Sequence, residues 1–397
     1  MTATSLPEYG VFDADNHYYE APDAYTRHID PAMAKRAMQW ADIDGRRRLL
    51  VGGKVNRFIP NPLFDPVAKP GSLDEYFRGK NPEAKDMRAL FGELEPIRPE
   101  YRDREARLRV MDEQGLDGCF LFPTLGVGME EALADDPPAL VAAFAAFNRW
   151  LEDDWGYAYR ERIFAAPMLS LADVDAAVAE LTRVLEADAR IVCIKGGPAH
   201  TPIGLTSPAD RRFDPFWALV DEAGVTVGIH SGDAGYGRYL ADWEPTGDFE
   251  AFRSSPLRGV LAADRPPYET MAALVCHGLF DRFPRIRVAS IEAGASWVHP
   301  LLKKLAKAYG QMPSSFAADP VDTLRAHVWV APFYEDDLGS LKDDLGLDHL
   351  LFGSDWPHAE GLADPITFAE DLRRHDYTDQ EIRSVMAENG PPLARRL

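Results

Sequence analysis

The sequence predicts an α/β protein, a (β/α)8 barrel of the TIM type with a lid inserted after its first strand. Three observations predict it. Eight short β-rich runs recur along the 397 residues, and most are continuous apolar stretches, the pattern of parallel strands buried on both faces. Segments of helical period lie between them, and eight alternations favour a barrel over a doubly wound sheet. No internal repeat, low-complexity tract or Gly/Ser linker divides the chain, so residues 1–397 read as one barrel domain.

The first run is Val11–Ala14, and the expected helix does not follow it. Residues 30–103 instead read as an insertion. Within it Arg46–Val51, a Gly52-Gly53 turn and Lys54–Ile59 read as a β-hairpin, and Pro60, Pro62, Pro66 and Pro70 mark an irregular return path. An insertion leaving the C-terminal end of a barrel strand lies over the mouth, hence the expectation of a lid. The remaining runs are Gly118–Phe122, Ile163–Met168, Ile191–Lys195, Val225–His230, Ile286–Glu292, Val328–Ala331 and Leu350–Gly353. Before the sixth, Met271, Leu274, Val275, Gly278 and Leu279 recur at helical spacing and close at Asp281–Pro284.

Composition excludes several function classes. At 46% hydrophobic and 27% charged the chain is an ordinary globular protein, and no apolar run approaches the roughly 20 residues of a membrane span. Residues 1–5 show no basic or apolar leader, so a cytoplasmic location is expected. A net charge of -21 repels phosphate backbones and anionic lipid, which argues against nucleic acid and membrane partners. Cys119, Cys193 and Cys276 are too scattered for a disulfide framework or a zinc clip. Gly232–Gly237 does not fit the dinucleotide fingerprint, and no phosphate-binding loop is present. The aromatic stretch Phe147–Trp155 reads as an amphipathic helix, packed on the barrel or offered to a second copy in a homo-oligomer.

Chemistry concentrates at strand ends. Asp15 and His17 follow the first strand at i, i+2, a spacing that points both side chains to one face. His230 ends the fifth strand, Glu292 the sixth, and Asp355 follows the eighth. Two imidazoles and three carboxylates on one rim suit a divalent metal. Each residue also has a structural reading: His230 as a loop residue, Glu292 as a charge at a helix N-terminus, Asp355 as a turn cap. Lys195 ends the fourth strand as an ion-pair partner, a substrate contact or a carboxylated metal bridge. His200, Asp233, Tyr236, Trp356 and Tyr19 are candidates to line the pocket, with Asp233, Tyr236 and Trp356 joining Lys195 as expected substrate contacts. His277 is expected to be structural. The basic group Arg46, Arg47, Arg48, Lys54 and Arg57 is either a solvated hairpin edge or a dock for an anionic substrate arm such as a CoA phosphate.

The segments Phe12–His17, Gly228–His230, Gly278–Pro284 and Leu351–His358 resemble the amidohydrolase-2 branch of the amidohydrolase superfamily, which includes the aminocarboxymuconate-semialdehyde decarboxylase type. The resemblance covers the chain outside the lid. It implies that His17, His230 and Asp355 take the places of metal ligands, with Asp15 in the place of the first histidine of the usual HxH pair. Glu292-Ala293-Gly294 stands where many relatives have His-Gly-Gly. Carboxylates replacing imidazoles harden the site, shifting preference from Zn toward Fe or Mn. Glu292 also falls where binuclear members hold a second metal, so one or two ions per chain are expected.

The first expectation is a metal-dependent hydrolase of a small carbonyl derivative, an amide, ester or thioester, with CoA thioesters among the candidates. Metal-activated water attacks the carbonyl, Asp355 handles its proton, Glu292 assists, and His358 orients Asp355 or the substrate. The alternative is non-oxidative decarboxylation of an aromatic or muconate-type carboxylic acid. A third reading, from another class, is a non-catalytic binding barrel.

Overall fold

Val11–Tyr18 forms the first barrel strand, with all eight residues buried. The computed structural model describes residues 7–244, 251, 255–261 and 264–397. The first strand pairs in parallel with Leu116–Pro123, which pairs with Ile163–Ala165. Met168–Leu169 continues that line toward Ile191–Lys195, which is followed by Thr226–His230, Arg287–Ile291 and Val328–Val330, all parallel. The expected single run 163–168 is thus broken, and Pro167, which has no N–H to donate, sits in the break.

The eighth stave differs from the expected strand. Residues 350–352 touch their neighbours by one isolated bridge, Val330 to Leu350, and by single hydrogen bonds: Leu351 N–H donates to Val330 O at 2.8 Å, and Ala14 N–H donates to Phe352 O at 2.7 Å. Side chains complete the closure. The buried Asp13 carboxylate accepts from Ser354 N at 2.9 Å, Ser354 Oγ at 2.6 Å, Asn16 Nδ2 at 2.9 Å and Asp15 N at 3.1 Å. One carboxylate therefore locks the two segments that carry Asp15, His17 and Asp355.

Helices surround the barrel, several capped by aspartates at the N-terminus: Asp103, Asp136, Asp173 and Asp319 each accept from a first-turn N–H. The helix Pro137–Asp154 turns its aromatic side inward. Phe147, Trp150 and the following Trp155 are at most 1% exposed, and both tryptophans pack on Tyr18. Each such burial contributes about 1.5–3 kcal/mol, and these rings are not available to a second subunit. The helical period around Met271 belongs to Arg265–Cys276, which stops before Gly278 in the left-handed region, and Leu279–Arg282 forms a separate turn.

In the insertion, Met38–Ile43, Arg46–Val51 and Lys54–Val55 form a three-stranded antiparallel sheet. The expected hairpin is present around Gly52-Gly53, but its second arm ends at Val55, and Met38–Ile43 is an added strand. Among the described residues no helix is long and apolar enough to cross a membrane.

Candidate metal centre

The extended first strand carries Asp15 and His17 within its C-terminal half, not beyond its end as the sequence suggests. His230 is the last residue of the fifth strand, and Glu292 lies one residue past the sixth. Glu292 and Asp355 both hold left-handed backbone, at φ 48° and 55°. That conformation is costly for a side chain with a Cβ, and such strain gathers at functional sites.

These residues converge on one point. His17 Nε2 lies 3.2 Å from Asp15 Oδ1, 3.1 Å from Glu292 Oε2, 3.5 Å from Asp355 Oδ1 and 3.3 Å from His230 Nε2. His230 Nε2 lies 3.2 Å from Glu292 Oε2 and 3.5 Å from Asp15 Oδ1. One N–H cannot serve four neighbours at once. Ligand atoms held about 2.1 Å from a divalent ion, by contrast, stand about 3.0–3.4 Å from one another, the edge of an octahedron or tetrahedron. Asp15, His17, His230 and Glu292 form one such donor group; His17, Glu292, Asp355 and His358 form a second that shares two members.

The protonation chemistry supports the same reading. Burial opposes charge on His17, but Asp15 and Glu292 outweigh it and push the imidazole up to about 10. Burial also works against the Asp15 carboxylate, yet His17 and His230 hold it well below the usual range. Burial and then Glu292 push Asp355 upward. Without a cation the cluster must trap a proton to offset its carboxylates; a divalent ion supplies that charge. His17 Nδ1 is buried with no hydrogen-bond partner.

His358 sits beside this cluster. Its Nδ1 is 2.5 Å from Asp355 Oδ1, and its Nε2 is 2.8 Å from Thr124 Oγ, which donates to Tyr18 O. Burial and the neighbouring His17 keep His358 well below its ordinary pKa, so it is neutral. From beneath, the buried Arg107 donates to Asn16 Oδ1 and, at 2.7 Å, to His17 O, and lies over the Trp356 ring.

A cavity of about 600 Å³ opens onto His17, Glu292, His358 and Glu360. Burial and Glu292 push Glu360 up to about 8. Insertion residues, including Phe58, Ile59, Phe64, Val67 and Phe91, form much of its wall, and Tyr19 also lines it. Of the four expected substrate contacts, none lines this cavity. Lys195 pairs with Glu131 at 3.1 Å, which also takes His200 at 2.7 Å, and Lys195 and Asp233 border a separate small void behind His230. Tyr236 donates to Glu269 at 2.7 Å, and Trp356 is buried against Tyr101 and Arg107. Lys195 is thus an ion-pair partner, outside both donor groups. His277 bonds Ser207 Oγ at 2.7 Å on the surface. Thr124 and Glu360 in loops, and Arg107 and Arg258 on helices, are not singled out by sequence, because an isolated hydroxyl or charge carries no spacing signal.

The amidohydrolase family pattern matches residues 16–391. The chain belongs to the amidohydrolase family. An amidohydrolase from Mycobacterium avium subsp. paratuberculosis K-10 is 43% identical, with a TM-score of 0.92, over 98% of this chain and 100% of that one. The amidohydrolase fold is shared at greater distance by 5-carboxyvanillate decarboxylase from Sphingomonas paucimobilis, 16% identical, TM-score 0.58, covering 99% of this chain and 100% of that one. A dihydroxybenzoic acid decarboxylase from Polaromonas sp. JS666, solved with bound manganese and the inhibitor 2-nitroresorcinol, is 17% identical, TM-score 0.54, covering 81% and 93%. No curated protein sequence matches this amidohydrolase.

These relatives correct the expectation of amide, ester or thioester hydrolysis, because those named for a substrate are decarboxylases of aromatic acids. The thioester variant also loses its physical basis. Arg46, Arg47, Lys54 and Arg57 are exposed, and neither they nor Arg48 line the cavity. They form a solvated edge, with Arg47 over the Trp40 ring.

Proposed function

We propose that this amidohydrolase-family protein is a divalent-metal-dependent, non-oxidative decarboxylase of an aromatic carboxylic acid. The observation that carries the reading is the convergence of Asp15, His17, His230 and Glu292 on one point at the floor of an apolar-walled cavity, beside the fixed Asp355–His358 pair. The named activities of the distant relatives, and the manganese in one, favour it over the alternatives. Asp15, His17, His230 and Glu292 would hold the ion, and a set with two carboxylates beside two imidazoles suits Mn or Fe better than Zn. The bound ion supplies positive charge against the substrate carboxylate.

The chain's own residues do the rest. Asp355 carries a proton, kept in place by His358, which Thr124 orients. Asp355 gives the proton to the ring carbon that bears the carboxylate. The bond to the carboxylate then breaks, its electron pair restores the aromatic ring, and carbon dioxide leaves. Asp355 regains a proton from solvent, so each turnover consumes one. Residues 30–103 act as a lid that keeps water from the reacting carbon. Asp355→Asn tests the assignment: it should retain about one metal per chain and bind dihydroxybenzoate while releasing carbon dioxide at least about 1,000-fold more slowly. Near-normal release removes Asp355 from the chemistry.

A further inference from the structure

The cavity is far larger than a single-ring acid needs. A void of about 150 Å³ accommodates benzene, whereas this one measures about 600 Å³. Its polar groups gather at the floor, where His17, Glu292 and His358 lie, with Arg258 the single Arg or Lys among the described residues that line it. The outer wall, contributed by the insertion, is apolar: Phe58, Phe64, Val67, Phe77, Phe91 and Leu94. The polar member of that wall, Asn61, donates to Pro66 O at 3.0 Å. Phe77 and Leu94 are 37% and 46% exposed and join this apolar wall, and apolar side chains grouped at a cavity mark a ligand-binding groove.

We propose that the natural substrate is an aromatic acid with a sizeable apolar extension, an alkyl chain or fused ring, and that residues 58–94 bind that extension. The proposal rests on the decarboxylase reading for the acid end and adds the chemistry of the other end. The acidic head seats at the donor cluster and the apolar body fills the insertion-walled chamber. Substrates are then selected by hydrophobic area as well as by the acid.

The test titrates manganese-loaded Asp355→Asn protein with a dihydroxybenzoate carrying a pentyl chain and with its methyl counterpart, and assays carbon dioxide release from both on the wild type. Four added carbons, each contributing up to a several-fold gain, should tighten binding about 100-fold. In the double variant Phe77→Gln, Leu94→Gln, at two partly exposed positions, that gain of pentyl over methyl should fall below about tenfold. Equal affinity for the two acids overturns the inference, and carbon dioxide release from both then leaves the decarboxylase reading standing. Chain-dependent binding with no release from either acid keeps the inference and overturns the decarboxylase reading. Failure of both acids to bind overturns the inference.

Discussion

Glu20 offers a test of the electrostatics around the site that does not depend on knowing the substrate. Its carboxylate is 2% exposed; Oε1 accepts from Leu125 N at 2.8 Å and Gly126 N at 2.9 Å, while Oε2 is buried with no partner. Burial, only partly offset by those backbone donors, pushes the carboxyl from 4.5 up to about 7. A raised carboxyl stabilises the fold fully below its unfolded value and loses that contribution as pH rises through the folded one. A shift of this size corresponds to about 3 kcal/mol lost between pH 4.5 and pH 8. Glu20→Gln retains an oxygen for the two N–H groups and never ionises. Urea unfolding of both proteins in chelator, at steps from pH 5 to pH 8, should show the variant gaining about 2–3 kcal/mol relative to wild type across the range. A difference that stays constant with pH would refute the burial argument. The loop at stake follows Thr124, so a change here reaches His358.

Chelator treatment should lower the unfolding temperature and manganese should restore it, because the clustered Asp15 and Glu292 carboxylates lose their counter-charge; no shift in differential scanning would remove the metal reading. Thr124→Val takes away the hydroxyl that orients His358 and is expected to lower kcat roughly 10–100-fold with KM within about threefold, at a stability cost near 1 kcal/mol. Arg107→Met leaves the buried Asn16 Oδ1 and the carbonyls of His17 and Glu100 without their donor, so urea unfolding should report a loss of about 3–5 kcal/mol.

The strand and site residues differ in how far they could be read. Asp15, His17, His230, Glu292 and Asp355 stand out because ionisable groups ending apolar runs are conspicuous, and the barrel sends strand ends to one rim. The strand Met38–Ile43 left a signal of a different kind, the Asp44-Gly45 pair, whose φ values of 52° and 71° make the tight turn to Arg46–Val51. The eighth stave reads as a strand by composition, yet Asp13 takes over bonds that a ladder would make, a substitution of side chain for backbone that periodicity does not report. The cavity wall was least legible. Phe58 to Leu94 follow no period, so which of them face the site depends on tertiary path, and Lys195, Asp233, Tyr236 and Trp356, better placed by sequence, find other partners.

The Asp13–Ser354 clamp joins residues 341 positions apart. A ribosome adding about 5–20 residues per second needs roughly 20–70 s to travel that distance. During synthesis Asp15 and His17 therefore emerge long before Asp355, and the pocket that would seize an ion is among the last features to form. Until His230 and Glu292 emerge, the nascent chain holds only the Asp15-x-His17 pair, too weak to sequester whichever metal it meets first. Metal choice is thus deferred to a finished barrel with fixed geometry, and a chain that stalls short of residue 354 lacks the clamp needed to make that choice.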